Sequence, residues 1–248
     1  MKGTREVLTP ALAEEYARDG VVRLPGAIAV RDAEAMAATV HRKVEARRDR
    51  SARPAQLSSR TGEFNAMASA TVRTVLTELL GDWEEPAHWG VPLVSFHTGE
   101  PAWDVPHQHW HLDLGARPSE LRLARVFAIL APLRPRGGGT GSVAGSHRLF
   151  EALARQTGGP LPSAQARHRL EARSPWFAAL SSRRAGEDRI RRFMADGGEL
   201  DGVEVRVCEM LGDPGDVILM HPLMLHAPMP NVLSTPRMML TQFVYGRP

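Results

Sequence analysis

His111 and Asp113 form a His-x-Asp pair, and the chain later supplies His226 and, eleven residues beyond it, Arg237. On a β-strand, residues two apart face the same side, so such a pair presents an imidazole and a carboxylate together. A second imidazole from a distant strand would complete one triangular face of an octahedral ion. Two His and one carboxylate with the opposite face left open is the donor set of non-haem Fe(II) oxygen chemistry. Arg237 belongs to the same argument. Met238, Met239, Leu240, Phe243 and Val244 make its strand apolar, so its charge needs a partner. Its planar fork matches a carboxylate with two parallel hydrogen bonds.

Two choices within this set rest on spacing. If residues 107–113 form one strand, His107, His109, His111 and Asp113 all face one side, but only His111 and Asp113 satisfy His-x-Asp. His107 and His109 then read as lining the pocket or as hydrogen-bonding partners of the ligands. His221 and His226 are an odd number apart, and Pro222 interrupts the regularity that would let parity decide. The gap to Arg237, with Pro230-Asn231 and Ser234-Thr235-Pro236 as its turn, favours His226 and leaves His221 a structural role.

The elements that must position these residues fall into blocks. Thr9-Pro10 opens a first helix that Gly20 closes, and Val21 to Leu24 follows as a strand. Ala33, Met36, Ala37, Val40 and Val44 mark a second helix, ending in a solvated tail at Arg47, Arg48, Asp49 and Arg50. Residues 51–65 lack periodicity, and Ala70 to Leu80 reads as a third helix stopped by Gly81. Strands are then expected at Val91–Phe96, Val105–Asp113 and Leu123–Leu130. Residues 148–202 turn helical and irregular, and strands resume at Val203–Met210, Asp216–His221 and Arg237–Tyr245. Helices first, then strands interrupted by one helical insertion, predict a single domain over 1–248. Its fold class is mainly β with flanking helices: a jelly-roll barrel with an N-terminal helical buttress and a helical lid insertion at about 148–202.

Bulk composition narrows the function. The net charge is only +3, and all but Lys2 and Lys43 of the 31 basic residues are arginine, interspersed with acids. That disfavours nucleic acid as a partner. The one cysteine, Cys208, excludes an intrachain disulfide. The opening MKGTREVLTP has no apolar core of signal-peptide length, and the longest apolar stretch is too short for a membrane span. The expectation is a cytoplasmic protein acting on a small molecule, without nucleic acid or membrane, with a homodimer compatible with the sequence.

In combination, His-Trp-His-Leu-Asp at 109–113, Gly-Gly-Gly-Thr-Gly-Ser-Val-Ala-Gly-Ser-His at 137–147 and Gly-Asp-Val-Ile-Leu-Met-His-Pro at 215–222 resemble the phytanoyl-CoA dioxygenase family of Fe(II)/2-oxoglutarate oxygenases. Leu225-His226, Pro230-Asn231 and Pro236-Arg237 extend the resemblance, which spans nearly the whole chain. It implies a double-stranded β-helix, His111, Asp113 and His226 as iron ligands, and Arg237 on the distal carboxylate of 2-oxoglutarate. Gln108 is a weaker candidate for the cosubstrate pocket, from its closeness to His111. O2 would be consumed and succinate and CO2 released. Halogenating relatives lack the carboxylate that Asp113 supplies, so hydroxylation or a related oxidation is implied. Two departures stand out. Pro228 occupies a position where many relatives carry a small hydroxyl residue for the cosubstrate, and Ala144-Gly145-Ser146-His147 replaces the usual Pro-Gly-Ser-His.

Two other readings are weighed. His109-Trp110-His111-Leu112-Asp113 imitates the His-x-His-x-Asp of zinc hydrolases, although Leu114 stands where that motif needs a further His. A barrel that binds without turnover is the second. For the substrate, Trp176-Phe177 and the arginines from Arg183 to Arg192 are candidate contacts, with a packed lid helix and a solvated helix face as the safer readings. A secondary-metabolite tailoring role follows from the resemblance alone.

Overall fold

The computed structural model describes residues 7–45, 55–56, 62–99, 102–116 and 122–247. The first six residues and the expected solvated tail at Arg47 to Arg50 lie outside them. In chain order the elements are α1 (Pro10–Asp19), β1 (Val21–Leu24), α2 (Val30–Glu45), β2 (Ala55–Gln56), a 3-10 turn (Gly62–Met67), α3 (Ala70–Leu80), β3 (Val91–Ser95), β4 (Leu123–Ile129) and β5 (Thr140–Ala144). The helical insertion follows as α4 (Ser146–Thr157), α5 (Ser163–Arg173), α6 (Pro175–Leu180) and a π-helical turn (Arg191–Asp196). Then come β6 (Gly198–Leu200), β7 (Val203–Glu209), β8 (Val217–Met220), β9 (His226–Pro228) and β10 (Arg237–Tyr245).

The helix ends follow from their residues. Thr9 Oγ1 accepts from Leu12 N, Pro10 takes the first helical position, and Gly20 closes α1 at φ 75°. That position demands glycine twice over: the backbone is left-handed, and a Cβ there would meet Met224 Cε at 2.4 Å and His147 Nδ1 at 2.5 Å. Ser69 caps α3 by accepting from Val72 N at 3.2 Å, while its own hydroxyl donates to Ala27 O at 2.6 Å.

The strands form two antiparallel sheets, β1-β8-β4-β10-β3-β2 and β6-β7-β5-β9. Alternation assigns their faces. Val126 and Ala128 of β4, Leu219 of β8 and Leu240 of β10 pack outward against Met36, Val40, Val72 and Leu76 of α2 and α3. The intervening Phe127, Ile129, Ile218, Met220 and Met239 point inward and pack together. Both faces of β4 are therefore buried, which explains why it is apolar at every position but Arg125; each fully buried large side chain contributes about 1.5–3 kcal/mol. On the small sheet, Val143, Val205 and Val207 face outward under Phe150, Leu153, Leu170 and Phe177 of the insertion. The helical insertion thus covers the small sheet as the N-terminal buttress covers the large one. The result is a two-sheet double-stranded β-helix sheathed on both sides, with the space between the sheets left for a site.

One expected strand is absent. Val105–Asp113 carries only an isolated bridge at His111, to His226, and His109 has φ 66°. The period-two argument for residues 107–113 therefore does not hold. Trp110, Val105 and Leu112 are buried against the insertion, and the chain bends to put them there.

Candidate metal centre

The structure brings His111, Asp113 and His226 together by a different route. The His111 and His226 backbones exchange both hydrogen bonds, at 2.9 and 3.1 Å, which fixes the two residues opposite one another with ring centroids 4.2 Å apart. Asp113 Oδ1 lies 3.7 Å from His111 Nε2, and Asp113 Oδ2 lies 3.6 Å from His226 Nε2. One donor atom from each residue falls within 4.8 Å of the others, and among the described residues this is the group that could hold a metal ion. Metal–ligand bonds near 2.1 Å put neighbouring donors about 3 Å apart, so small side-chain rotations close the cluster onto an ion.

Both imidazoles are oriented by the same device. His111 Nδ1 lies 2.8 Å from His109 O, and His226 Nδ1 lies 3.0 Å from Met224 O. In each case the carbonyl two residues earlier takes the Nδ1 proton and leaves the Nε2 lone pair facing the cluster. The left-handed backbone of His109 therefore has a use, because it turns that carbonyl onto His111. The His109 ring itself stays outside the cluster, so the His-x-His-x-Asp of the zinc-hydrolase reading is not assembled. Burial lowers the His226 pKa, with the Asp113 carboxylate pulling the other way, and so favours the neutral ring that metal ligation requires.

The helical insertion holds the loop that carries His111 and Asp113. Leu112 N donates to Ser163 Oγ at 2.8 Å, and Arg167 Nη1 donates to Trp110 O at 2.9 Å. Arg189 departs from the solvated face expected for residues 183–192. It is 3% exposed, donates to the carbonyls of Val105, Pro106, Ala179, Leu180 and Ser182, and its guanidinium lies over the Phe193 ring. Trp176 and Phe177 are buried, meeting each other and Phe193 edge-on in the insertion's core. His107 stands near Arg189 and Arg183, where burial and those charges disfavour its protonated form.

Arg237 is 3% exposed at the start of β10. Its Nη1 reaches Thr140 Oγ1 at 3.5 Å, while Nε and Nη2 are buried with no hydrogen-bond partner. Burial alone pulls its pKa down to about 10. A buried guanidinium with two nitrogens that meet no protein acceptor has the chemistry to take a carboxylate or similar anion. Its location is defined by register: Thr140 pairs with Pro228 and Ser142 with His226, so Arg237 meets β5 two residues along from the pair that holds His226. Thr140 also supplies, from the neighbouring strand, a hydroxyl beside Pro228. Gln108 is exposed on the bend three residues before His111.

His221 sits apart, against His147 (ring centroids 4.8 Å) and Tyr16 (6.1 Å), and burial beside His147 pushes it down to about 3. His147 Nε2 lies 3.1 Å from Ala17 O, so this pair ties α1 to the turn after β8.

Sequence reasoning missed Arg125. It projects inward from β4, 7% exposed, with Nη1 against Asp113 Oδ2 and 3.3 Å from His226 Nε2. Nε donates to Thr241 Oγ1 at 3.1 Å, and the rings of Phe127 and Phe243 hold the guanidinium at 4.9 and 4.8 Å. The available signal was an arginine at an inward position of an otherwise apolar strand.

No family model and no curated protein matches this sequence. Solved structures do. The chain is similar to HygX from Streptomyces hygroscopicus, solved with nickel and 2-oxoglutarate bound, at TM-score 0.56 and 14% identity over 98% of this chain and 87% of that one. It is similar to SnoK, a non-haem α-ketoglutarate-dependent carbocyclase from nogalamycin biosynthesis, at TM-score 0.55 and 16% identity over 96% and 83%. AviO1 from Streptomyces viridochromogenes matches at TM-score 0.54 and 16% identity over 99% and 97%. At such identities the likeness shows the fold, the double-stranded β-helix of 2-oxoglutarate-dependent non-haem iron enzymes.

Proposed function

We propose that this protein is an Fe(II)- and 2-oxoglutarate-dependent oxygenase of the phytanoyl-CoA dioxygenase type. It would hydroxylate or otherwise oxidise a small organic substrate with consumption of O2 and release of succinate and CO2. His111, Asp113 and His226 would hold the iron and Arg237 the distal carboxylate of 2-oxoglutarate. When bound, iron and cosubstrate would supply the oxidising power that no side chain here has. The chain's own work is geometric: two carbonyls fix the imidazole tautomers, the insertion pins the loop that carries His111 and Asp113, and two apolar layers brace the sheets around the site.

The observation that carries this reading is Arg237, buried with two unpartnered nitrogens and in contact with Thr140, two residues along β5 from the partner of His226. Two residues along a strand span roughly 7 Å at ~3.3 Å per residue, the reach of a five-carbon diacid held at one end by a metal. Thr140 offers a hydroxyl where Pro228 cannot, which favours a working cosubstrate site over a barrel that has lost turnover. The similar carbocyclase and the epimerase SnoN make a secondary-metabolite intermediate the first substrate class to try, with outcomes beyond hydroxylation to be assayed. Titration of 2-oxoglutarate into the nickel-loaded chain tests the reading: binding is expected only with metal present, and no binding overturns it.

A further inference from the structure

Arg125 is not explained by the donor set above, which needs neither its charge nor its reach. We propose that Arg125 is a second anion anchor, which takes a carboxylate-class group beside the metal, at a point on β10's inner face away from Arg237. The inference rests on the metal-centre reading and deepens it.

Position is the first argument. Arg237, Met239, Thr241 and Phe243 alternate along β10, and the first of them is the anion site already described. Arg125 bonds to Thr241, four residues on, and packs on Phe243, its own register partner. Roughly 13 Å of strand separates Thr241 from Arg237 at ~3.3 Å per residue. The two guanidinium groups therefore serve different ends of the space around the cluster.

Orientation is the second. Thr241 and two phenyl rings fix the plane of the fork, and Nη1 is engaged by Asp113, its 3.3 Å contact to His226 Nε2 being one that a bound metal would replace. The Nη2 donors meet no acceptor among the described residues, and a fixed fork with one free arm suits a planar anion.

Charge is the third. Asp113 offsets only one of the two buried guanidinium charges at the site. A divalent cation and a dianionic cosubstrate cancel each other, so one positive charge remains beside the metal. A buried excess charge is costly unless an anionic group completes it. The free arm of the fork has two sources of a carboxylate: the metal-side carboxylate of 2-oxoglutarate, already counted in that balance, or an acidic group on the substrate, which would also cancel the excess charge.

Calorimetry on the full-length chain separates them. Ni(II) is titrated first, then 2-oxoglutarate, then benzoate against neutral benzamide on the cosubstrate-saturated protein, for wild type, Arg125→Met, Arg125→Gln and Arg125→Lys. In the neutral variants Ni(II) binding checks the site itself: loss of the Asp113 partner should weaken it by no more than about 10–100-fold, whereas a collapsed site would bind none. If the cosubstrate carboxylate is the occupant, the neutral variants lose at least tenfold in 2-oxoglutarate affinity and Arg125→Lys recovers part of it. If a substrate acid is the occupant, 2-oxoglutarate affinity holds while a preference for benzoate over benzamide, present in wild type, disappears. Either pattern supports the proposal. Neutral variants that match wild type for both anions, or a loss of anion binding that appears only where Ni(II) no longer binds, overturn it. Failure of the wild-type chain to bind Ni(II) or 2-oxoglutarate defeats the underlying reading as well, and is seen before any variant is made.

Discussion

Replacing Arg237 by methionine should make the protein more stable and less able to bind its cosubstrate. Methionine keeps the length and apolar stem of the side chain while removing the charge. The fall of the Arg237 pKa to about 10 through burial corresponds to roughly 3 kcal/mol of desolvation carried by the folded chain, at ~1.4 kcal/mol per tenfold change. Two of its nitrogens have no partner to offset that cost. Allowing for imperfect packing of the thioether, a net gain of about 2 kcal/mol is expected, or roughly 4–8 °C in Tm for a chain of this size. Binding should move the other way. Two charge-assisted hydrogen bonds to a carboxylate are worth ~1.5–3 kcal/mol each, so 2-oxoglutarate affinity should fall at least about 100-fold. Thermal unfolding of the nickel-loaded protein with and without 2-oxoglutarate measures both effects: wild type gains Tm on adding the diacid, and Arg237→Met starts higher and gains nothing. A variant that is destabilised and still responds to 2-oxoglutarate would refute the argument.

Further expectations concern the frame around the site. Asp113→Ala or His226→Ala should weaken Ni(II) binding by more than the 10–100-fold typical of losing an outer partner of a ligand, read by calorimetry. His221 has a folded pKa near 3 against about 6.5 in the unfolded chain, so the unfolded state binds the extra proton between those values. Stability should therefore fall as pH drops from about 6.5 towards 3, by a few kcal/mol, and denaturant midpoints of His221→Gln should flatten that slope. Gly20→Ala should cost about 2 kcal/mol or more, because φ 75° is left-handed and the new methyl meets Met224 and His147; a loss of roughly 4–8 °C in Tm checks it. Arg189→Met removes the donors that hold the Val105 and Pro106 carbonyls, and Ni(II) affinity should drop although Arg189 touches no ligand.

The helices and most strands were legible because each rests on local chemistry: Thr9 and Ser69 as caps, Gly20 and Gly81 as stops, apolar runs for strands buried on both faces. The three residues that cluster as candidate metal donors were legible for a different reason. Their residue types carry the chemistry whatever backbone presents them, so His111 and Asp113 could be named although the expected strand is a loop. What gathers them is not local: a two-residue bridge to His226, a left-handed His109 carbonyl, and arginines from the helical insertion holding backbone oxygens. No sequence pattern marks a carbonyl as an acceptor.

Arg125 shows the same limit from the other side. An inward arginine on β4 costs desolvation wherever it sits, and only the fold reveals that Asp113, Thr241 and two phenyl rings meet it there. The two buried guanidinium groups of this site differ in one respect that governs their consequences. Arg125 is partly neutralised by a ligand carboxylate and held rigid, so its loss should alter which ions bind. Arg237 is left without an acid, so its loss should relieve the fold before it impairs anything else. A comparison of the two methionine variants in the absence of metal and cosubstrate separates these roles: Arg237→Met should unfold at higher temperature than wild type and Arg125→Met at lower. The reverse order would mean that the unpartnered nitrogens of Arg237 are satisfied in solution and that the anion site is not where its charge points.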